Sequence, residues 1–67
     1  MWKTNRELAR EYFDQADELE RKIELLRKKR PRHAETEIRL RREIAVLEGM
    51  MLDARNTANT LLHYDEE

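Results

Sequence analysis

The chain has 67 residues, 43% of them charged, with a formal net charge of −1, one glycine, one proline and no cysteine. A protein this short forms one domain at most and buries only about 60% of its unfolded surface. The absence of cysteine excludes disulfides and thiolate metal sites and favours a reducing, cytoplasmic compartment. No apolar run approaches the roughly 20 residues of a membrane span. We therefore expect a cytoplasmic, non-membrane protein whose thin core is supplemented by association with another chain.

The small net charge conceals a strong segregation of charge along the sequence. Residues 1–20 carry a net charge of −3, residues 21–42 carry +7, and residues 43–67 carry −5. Glu, Arg, Leu and Lys dominate the composition, which is typical of long helices and coiled coils. If the chain folds back in its middle, the basic segment becomes one end of a rod and the two acidic segments meet at the other end.

The first predicted helix covers about residues 5–29. Thr4 and Glu7 have the spacing of a capping box, which predicts a start near Asn5. Apolar or small residues then recur in alternating steps of three and four, as in a coiled-coil seam: Ala9, Tyr12, Ala16, Leu19, Ile23 and Leu26. We expect the helix to stop before Pro31, because proline disfavours helical backbone in the residue that precedes it.

The second predicted helix covers about residues 32–62, after a turn at about 30–32. Pro31 tends to open a helix, and Glu35 and Glu37 suit the positive end of the helix dipole. Its seam repeats the same steps: Leu40, Ile44, Leu47, Met51, Ala54, Ala58 and Leu61. Asn and Thr residues weaken helix propensity towards its end, so residues 63–67 are expected to form a loose tail.

Together the two seams predict an all-α, two-helix antiparallel coiled-coil hairpin with its turn near Pro31. A symmetric turn pairs residues whose numbers add to 63, such as Ile23 with Leu40 and Ala16 with Leu47. The heptad phase also continues unbroken through the turn, so the sequence leaves open one long kinked helix of about 58 residues that pairs with a second copy. Three polar seam positions at the turn, Arg30, His33 and Glu37, favour the hairpin.

Several apolar residues lie off the seam and indicate a second contact surface. On the second helix, an Ala-x-x-x-Gly patch could let another helix approach closely, although the alternative of a glycine merely tolerated on a solvent face is as plausible from sequence. We interpret this flank as a self-association surface that gives a homodimer with a four-helix bundle. The residues assigned to it are Leu8, Phe13, Ile38, Ala45, Gly49 and Leu52.

The densest cluster of cations surrounds Pro31 and indicates an anionic partner. The candidate binding residues are Arg27, Lys28, Lys29, Arg30, Arg32, Arg39 and Arg42. Nucleic acid is one candidate partner, since cations of this density can contact phosphates. It is not the favoured one, because the aromatic residues lie towards the opposite end of the hairpin and cannot stack on bases there. An acidic protein surface is the other candidate.

Enzymatic chemistry has no candidate residues in this sequence. Without cysteine, serine or a glycine-rich loop, acyl transfer and phosphate cradling are not expected. His33 and His63 fall at opposite ends of a hairpin, so no metal site is predicted. A two-helix rod is also expected to offer no pocket of enzymatic size. The sequence thus predicts a non-enzymatic binding protein with no catalytic residues, cofactor or small-molecule substrate.

Two segments carry a resemblance to a known group of proteins. One runs from Arg10 to Ala16, with sequence REYFDQA, and leads into Leu19–Ile23; the other is Asp53–Ala58, with sequence DARNTA, followed by Leu62-His63-Tyr64. They resemble small uncharacterised helical proteins from phages and mobile elements of Firmicutes. The resemblance implies a bacterial cytoplasmic protein and carries no activity or functional residues.

Overall fold

The computed structural model describes residues 3–65 and consists of two antiparallel α-helices packed along their length. Helix α1 spans Asn5–Arg27 and helix α2 spans Ala34–Asp65, and the described residues contain no strand. The molecule measures 51 × 17 × 15 Å, so its length is close to the roughly 48 Å of a 32-residue helix. The predicted all-α hairpin is confirmed. The alternative prediction of one long kinked helix is wrong, because residues 28–33 are not helical.

The start of α1 follows the predicted cap. The Thr4 hydroxyl accepts a hydrogen bond from the Glu7 backbone N–H at 3.1 Å, and the Thr4 carbonyl accepts from the Leu8 N–H at 3.0 Å. The first bond satisfies a backbone donor that has no partner within the helix, and the second is the first regular hydrogen bond of α1. The cap therefore fixes where α1 begins.

The connection between the helices is longer than the predicted turn at 30–32. Helix α1 ends at Arg27 instead of about residue 29. Just after this end, the Lys28 N–H donates to the Glu24 carbonyl at 3.2 Å and the Lys29 N–H donates to the Leu26 carbonyl at 3.1 Å. The consecutive cations that follow repel one another less in extended chain, which rises about 3.3 Å per residue, than in a helix, which rises 1.5 Å. Residues 28–33 form this connection, which we call the strap.

Both ends of α2 also differ from the prediction. The helix begins at Ala34 instead of residue 32, and the His33 carbonyl accepts the first helical hydrogen bond from the Glu37 N–H at 3.0 Å. At the other end α2 continues to Asp65, so the expected loose tail is wrong for residues 63–65. Residues 66 and 67 of that tail lie outside the described part of the chain.

The pairing register differs from the symmetric one by about three helical turns. Arg27 is ion-paired with Glu48, and Glu20 with Arg55, so that paired residue numbers add to 75 instead of 63. Helix α2 therefore begins roughly 21 Å beyond the end of α1, a distance that the strap can span in extended form. The predicted layers of Ile23 with Leu40 and Ala16 with Leu47 are wrong. The same register explains the longer α2, because it sets residues 61–65 beside residues 10–14 of α1.

The core between the helices is thin and made mostly of alanine. The buried residues among those described are Ala9, Ala16, Ile23, Ala54 and Ala58. The observed register places Ala16 and Ala58 at the same level, and both are 0% exposed. Every described leucine of the two seams remains half-buried. The hairpin thus brings its helices close together through small residues while leaving the larger ones at the margins.

Candidate functional site

The basic end of the hairpin combines the last residue of α1, Arg27, with the strap and the first three turns of α2. Two of its arginines are held by internal ion pairs: Arg27 contacts Glu48 on α2 at 2.6 Å, and Arg41 contacts Glu37 one turn earlier at 2.8 Å. Both pairs are solvent-exposed, so each contributes only about 0.2–1 kcal/mol to stability. Arg27, a predicted anion-binding residue, is therefore already engaged in joining the helices.

The other six predicted cations are exposed and form no ion pair with any described residue. They come from two parts of the fold: Lys28, Lys29, Arg30 and Arg32 from the strap, and Arg39 and Arg42 from α2. Residues 28–42 together carry seven basic and two acidic side chains, a net charge of +5, so this end raises the local concentration of anions. Of these six, Lys28, Lys29, Arg30 and Arg39 line two adjoining grooves at this end.

An open groove of about 740 Å³ lies between the strap and α2 at this end. The half-buried Pro31, Leu40 and Ile44 supply its apolar lining, and exposed cations from Arg27 to Arg30 surround them. A smaller groove of about 480 Å³ also borders Pro31 and adds Arg39 and Glu43. The larger groove is open to solvent along its length and is not an enclosed pocket. Such a lining suits an anionic group that carries an apolar portion.

Four of the six predicted self-association residues share one side of α2, which we call the outer stripe: Ile38, Ala45, Gly49 and Leu52. Ile38 is 52% exposed and Leu52 is 54% exposed. Their spacings of seven, four and three residues keep them on one side of a helix. That side lies opposite the buried Ala54 and Ala58, which face α1. The outer stripe therefore points away from the hairpin core.

The remaining two predicted self-association residues belong to a different surface. Leu8 and Phe13 are half-buried on α1, where a five-residue separation places them roughly 140° apart around the helix. Neither can extend the outer stripe, which is carried by the far side of α2. The sequence grouped all six residues because it shows which ones are off the seam, but not on which side of the hairpin they fall.

Three further apolar residues are more exposed than the half-buried seam: Leu25 at 63%, Val46 at 62% and Met50 at 51%. Leu25 lines a shallow depression of about 530 Å³, which we call the side groove, together with Leu26 and Leu47. The off-seam position of all three residues was the signal in the sequence that could have identified them. They give the hairpin a second apolar surface beside the outer stripe.

Gly49 has no structural role within the hairpin. A Cβ atom built on it would have nothing within 4 Å, and no described residue has a positive φ angle. Glycine inside a helix is about 1 kcal/mol less favourable than alanine. Since alanine would fit without a clash, the folded monomer gives no reason for glycine at this position.

At the opposite, acidic end, Lys3 forms an exposed ion pair with Glu11. Lys3 donates a hydrogen bond to the Glu11 carboxylate, and this bond together with the negative charge of Glu11 raises the pKa of Lys3 above its usual value. The described His, Asp and Glu side chains form no group of three that could hold a metal ion. This end is therefore acidic, but its described side chains do not form a set of metal ligands.

Neither helix, over the residues described, contains an apolar stretch long enough to cross a membrane. Comparisons of the chain with protein-family models, with curated proteins and with solved structures gave no match.

Proposed function

We propose that the protein is a non-enzymatic, cytoplasmic helical hairpin that self-associates into a four-helix dimer and acts by binding other proteins. The observation that carries this proposal is the composition of the core. Among the described residues the hairpin buries four alanines and one isoleucine, and no large side chain is fully buried. A 67-residue chain without cysteine usually needs more apolar burial than this to be stable.

The exposed apolar side chains of α2 favour pairing. A half-exposed Ile, Leu, Val or Met has roughly 1 kcal/mol left to gain from full burial. Ile38 and Leu52 on the outer stripe therefore contribute about 4 kcal/mol to a symmetric dimer, and Val46 and Met50 add to this only where the contact extends onto the second apolar surface. Association costs about 4–15 kcal/mol, so the dimer depends on burying most of these side chains together.

Sedimentation equilibrium over a range from low micromolar to near millimolar concentration tests self-association. We expect the mass to rise from that of one 8.2 kDa chain towards twice that value, with helicity unchanged or increased. A chain that remains a folded monomer over the whole range would refute the proposal. Circular dichroism on the same samples shows whether the monomer is folded.

A second candidate function is binding of an anionic partner at the basic end. It is favoured by the six cations that have no ion pair with a described residue. Nucleic acid is one such partner. If all six contact phosphates, affinity should fall roughly 1,000-fold between 50 and 200 mM salt. The lack of any mobility shift of a nucleic-acid probe at 50 mM salt would reject this partner.

A matched pair of variants identifies which cations are responsible. Lys29→Gln with Arg30→Gln removes two charges from the strap, and Arg6→Gln with Arg10→Gln removes two from the far end of α1. We expect only the strap variant to weaken binding and to reduce the salt dependence by about two counterions. An acidic peptide without phosphate, run as a second probe, separates a protein-like partner from a nucleic acid.

A further inference from the structure

We propose that the larger groove between the strap and α2 binds a short acidic segment of a partner protein, which inserts a large aliphatic side chain between Pro31, Leu40 and Ile44. The inference rests on the second candidate function, binding of an anionic partner at the basic end, and names the class of that partner. The volume of about 740 Å³ lies within the usual range of about 300–1,000 Å³ for ligand sites, so one large side chain and its neighbouring backbone fit in the groove.

The apolar part of the groove is a stretch of the α2 seam that α1 does not reach. Arg27 is the last residue of α1 and is ion-paired with Glu48, so the part of α2 that precedes Glu48 has no helix opposite it. Leu40 and Ile44 therefore lie roughly 12 and 6 Å beyond the end of α1. Beside them the groove is lined by the strap instead of a helix, and both side chains remain half-buried. The surface that they leave exposed gains free energy when another apolar side chain covers it.

Cations border this apolar surface on the side of the strap. Lys28, Lys29 and Arg30 are exposed, line the groove and form no ion pair with a described residue. They belong to the segment 28–42, whose net charge is +5. Carboxylates on either side of an inserted aliphatic side chain therefore meet cations that have no internal partner. This complementarity selects an acidic segment over a neutral or basic one.

The lining favours a peptide over nucleic acid. Among the described residues, no aromatic side chain lines this groove or the smaller one that also borders Pro31, so bases have no ring to stack on there. Glu43 lines the smaller groove and forms no ion pair with a described residue, so its charge repels a phosphate backbone laid along α2. The aliphatic surface of Leu40 and Ile44 instead suits an aliphatic side chain.

Fluorescence anisotropy with three labelled probes of equal charge tests the inference on the unaltered chain. One probe is a short peptide of glutamates with central leucines, the second replaces each leucine with serine, and the third is a single strand of thymidine nucleotides. At about 50 mM salt we expect the leucine peptide to bind at least about tenfold tighter than either other probe, because only its side chains cover the apolar part of the groove.

Matched variants locate the bound peptide. Leu40→Ala should weaken binding of the leucine peptide at least about threefold and leave the serine peptide unchanged. Val46→Ala, which truncates a 62% exposed side chain outside both grooves, should change neither. Lys29→Gln with Arg30→Gln should weaken both peptides at least about threefold, because both use these cations. Circular dichroism checks the fold, and the strap variant and the probe comparison still decide the matter if Leu40→Ala unfolds the hairpin.

Failure of this inference and failure of the second candidate function give different results. If no probe binds, both are refuted. Equal binding of the leucine and serine peptides keeps an anionic partner at the basic end and overturns the aliphatic insertion. Tighter binding of the thymidine strand makes nucleic acid the partner and also overturns the inference. A leucine-dependent complex that neither Leu40→Ala nor the strap variant weakens lies elsewhere on the hairpin, which overturns it as well.

Discussion

The two helices differ in how many of their sides carry apolar residues. On α1 the buried residues Ala9, Ala16 and Ile23 share one face, and Leu25 is the only large apolar side chain of that helix that is more than half exposed. Helix α2 packs one face on α1 and leaves Ile38, Val46, Met50 and Leu52 in solvent. Packing of the two helices against each other therefore covers most of the apolar side chains of α1, but only one of the apolar sides of α2.

This difference separates folding from association. Substitutions in the interface between α1 and α2 should destabilise the hairpin, because they remove contacts that the monomer already makes. Substitutions on the outer side of α2 should leave the hairpin intact and remove only the pairing of two copies. The two effects can be measured apart, by chemical denaturation and by sedimentation.

The largest effect is expected from Ile38→Ser combined with Leu52→Ser. Each substitution removes roughly 1 kcal/mol of interface burial per copy, so the dimer loses about 4 kcal/mol, or roughly 1,000-fold in affinity. Sedimentation should show a monomer with the helicity of the original protein. Tyr64→Ser is the matched control, because Tyr64 is 66% exposed on α2 but lies about 120° around the helix from Leu52. Equal loss of dimer in both variants would contradict the comparison.

Ile23→Ala tests the face of α1 that packs on α2. Ile23 is 3% exposed and is the only buried side chain larger than alanine among the described residues. Its truncation should cost about 2–4 kcal/mol of unfolding free energy, through lost transfer energy and a cavity. Leu25→Ala, two residues away and 63% exposed, should cost less than about 0.5 kcal/mol. Urea unfolding at a concentration where the protein is monomeric compares the two, and similar costs would show that the core has been misassigned.

Thr4→Ala tests the end of α1 that the sequence placed correctly. The substitution leaves the Glu7 N–H without its 3.1 Å acceptor, which should destabilise the hairpin by about 1 kcal/mol. Thr4→Asp should retain the cap, since aspartate is among the preferred residues at that position. A stability of Thr4→Ala equal to that of the original protein would mean that the cap contributes nothing.

The faces of the helices could be predicted from the sequence because burial follows the helical repeat. Steps of three and four identified Ala9, Ala16, Ile23, Ala54 and Ala58 as inward-facing, and all five are buried. The N-terminal cap was equally local, since it depends on two residues three apart. The pairing register was not predictable in this way, because a repeating stripe fits its neighbour equally well after a slip of about three turns.

The length of the strap decided that register. Pro31 predicted a break in the helix, and the sequence analysis assumed the shortest turn around it. Repulsion among consecutive cations favours a longer extended segment, and each added residue moves α2 further beyond α1. The internal pairing of Arg27 with Glu48 follows from the register, so the sequence could not show that this member of the basic cluster is engaged.

The interhelical ion pairs provide the smallest and most specific test of how α1 and α2 align. Glu20 and Arg55 are 3.0 Å apart, and their side chains are 49% and 37% exposed, so a double-mutant cycle of Glu20→Gln and Arg55→Gln should give an attractive coupling of about 0.2–1 kcal/mol. In the symmetric register Glu20 would instead face Glu43, and neutralising either one would relieve a repulsion. In the observed register those two carboxylates lie at different levels, so the cycle of Glu20→Gln with Glu43→Gln should give a coupling near zero.

The attractive coupling between Glu20 and Arg55 should also weaken as salt is raised, because the pair is exposed. A measurable repulsion between Glu20 and Glu43, with no attraction between Glu20 and Arg55, would show that the helices pair in the symmetric register and that the connection between them is short.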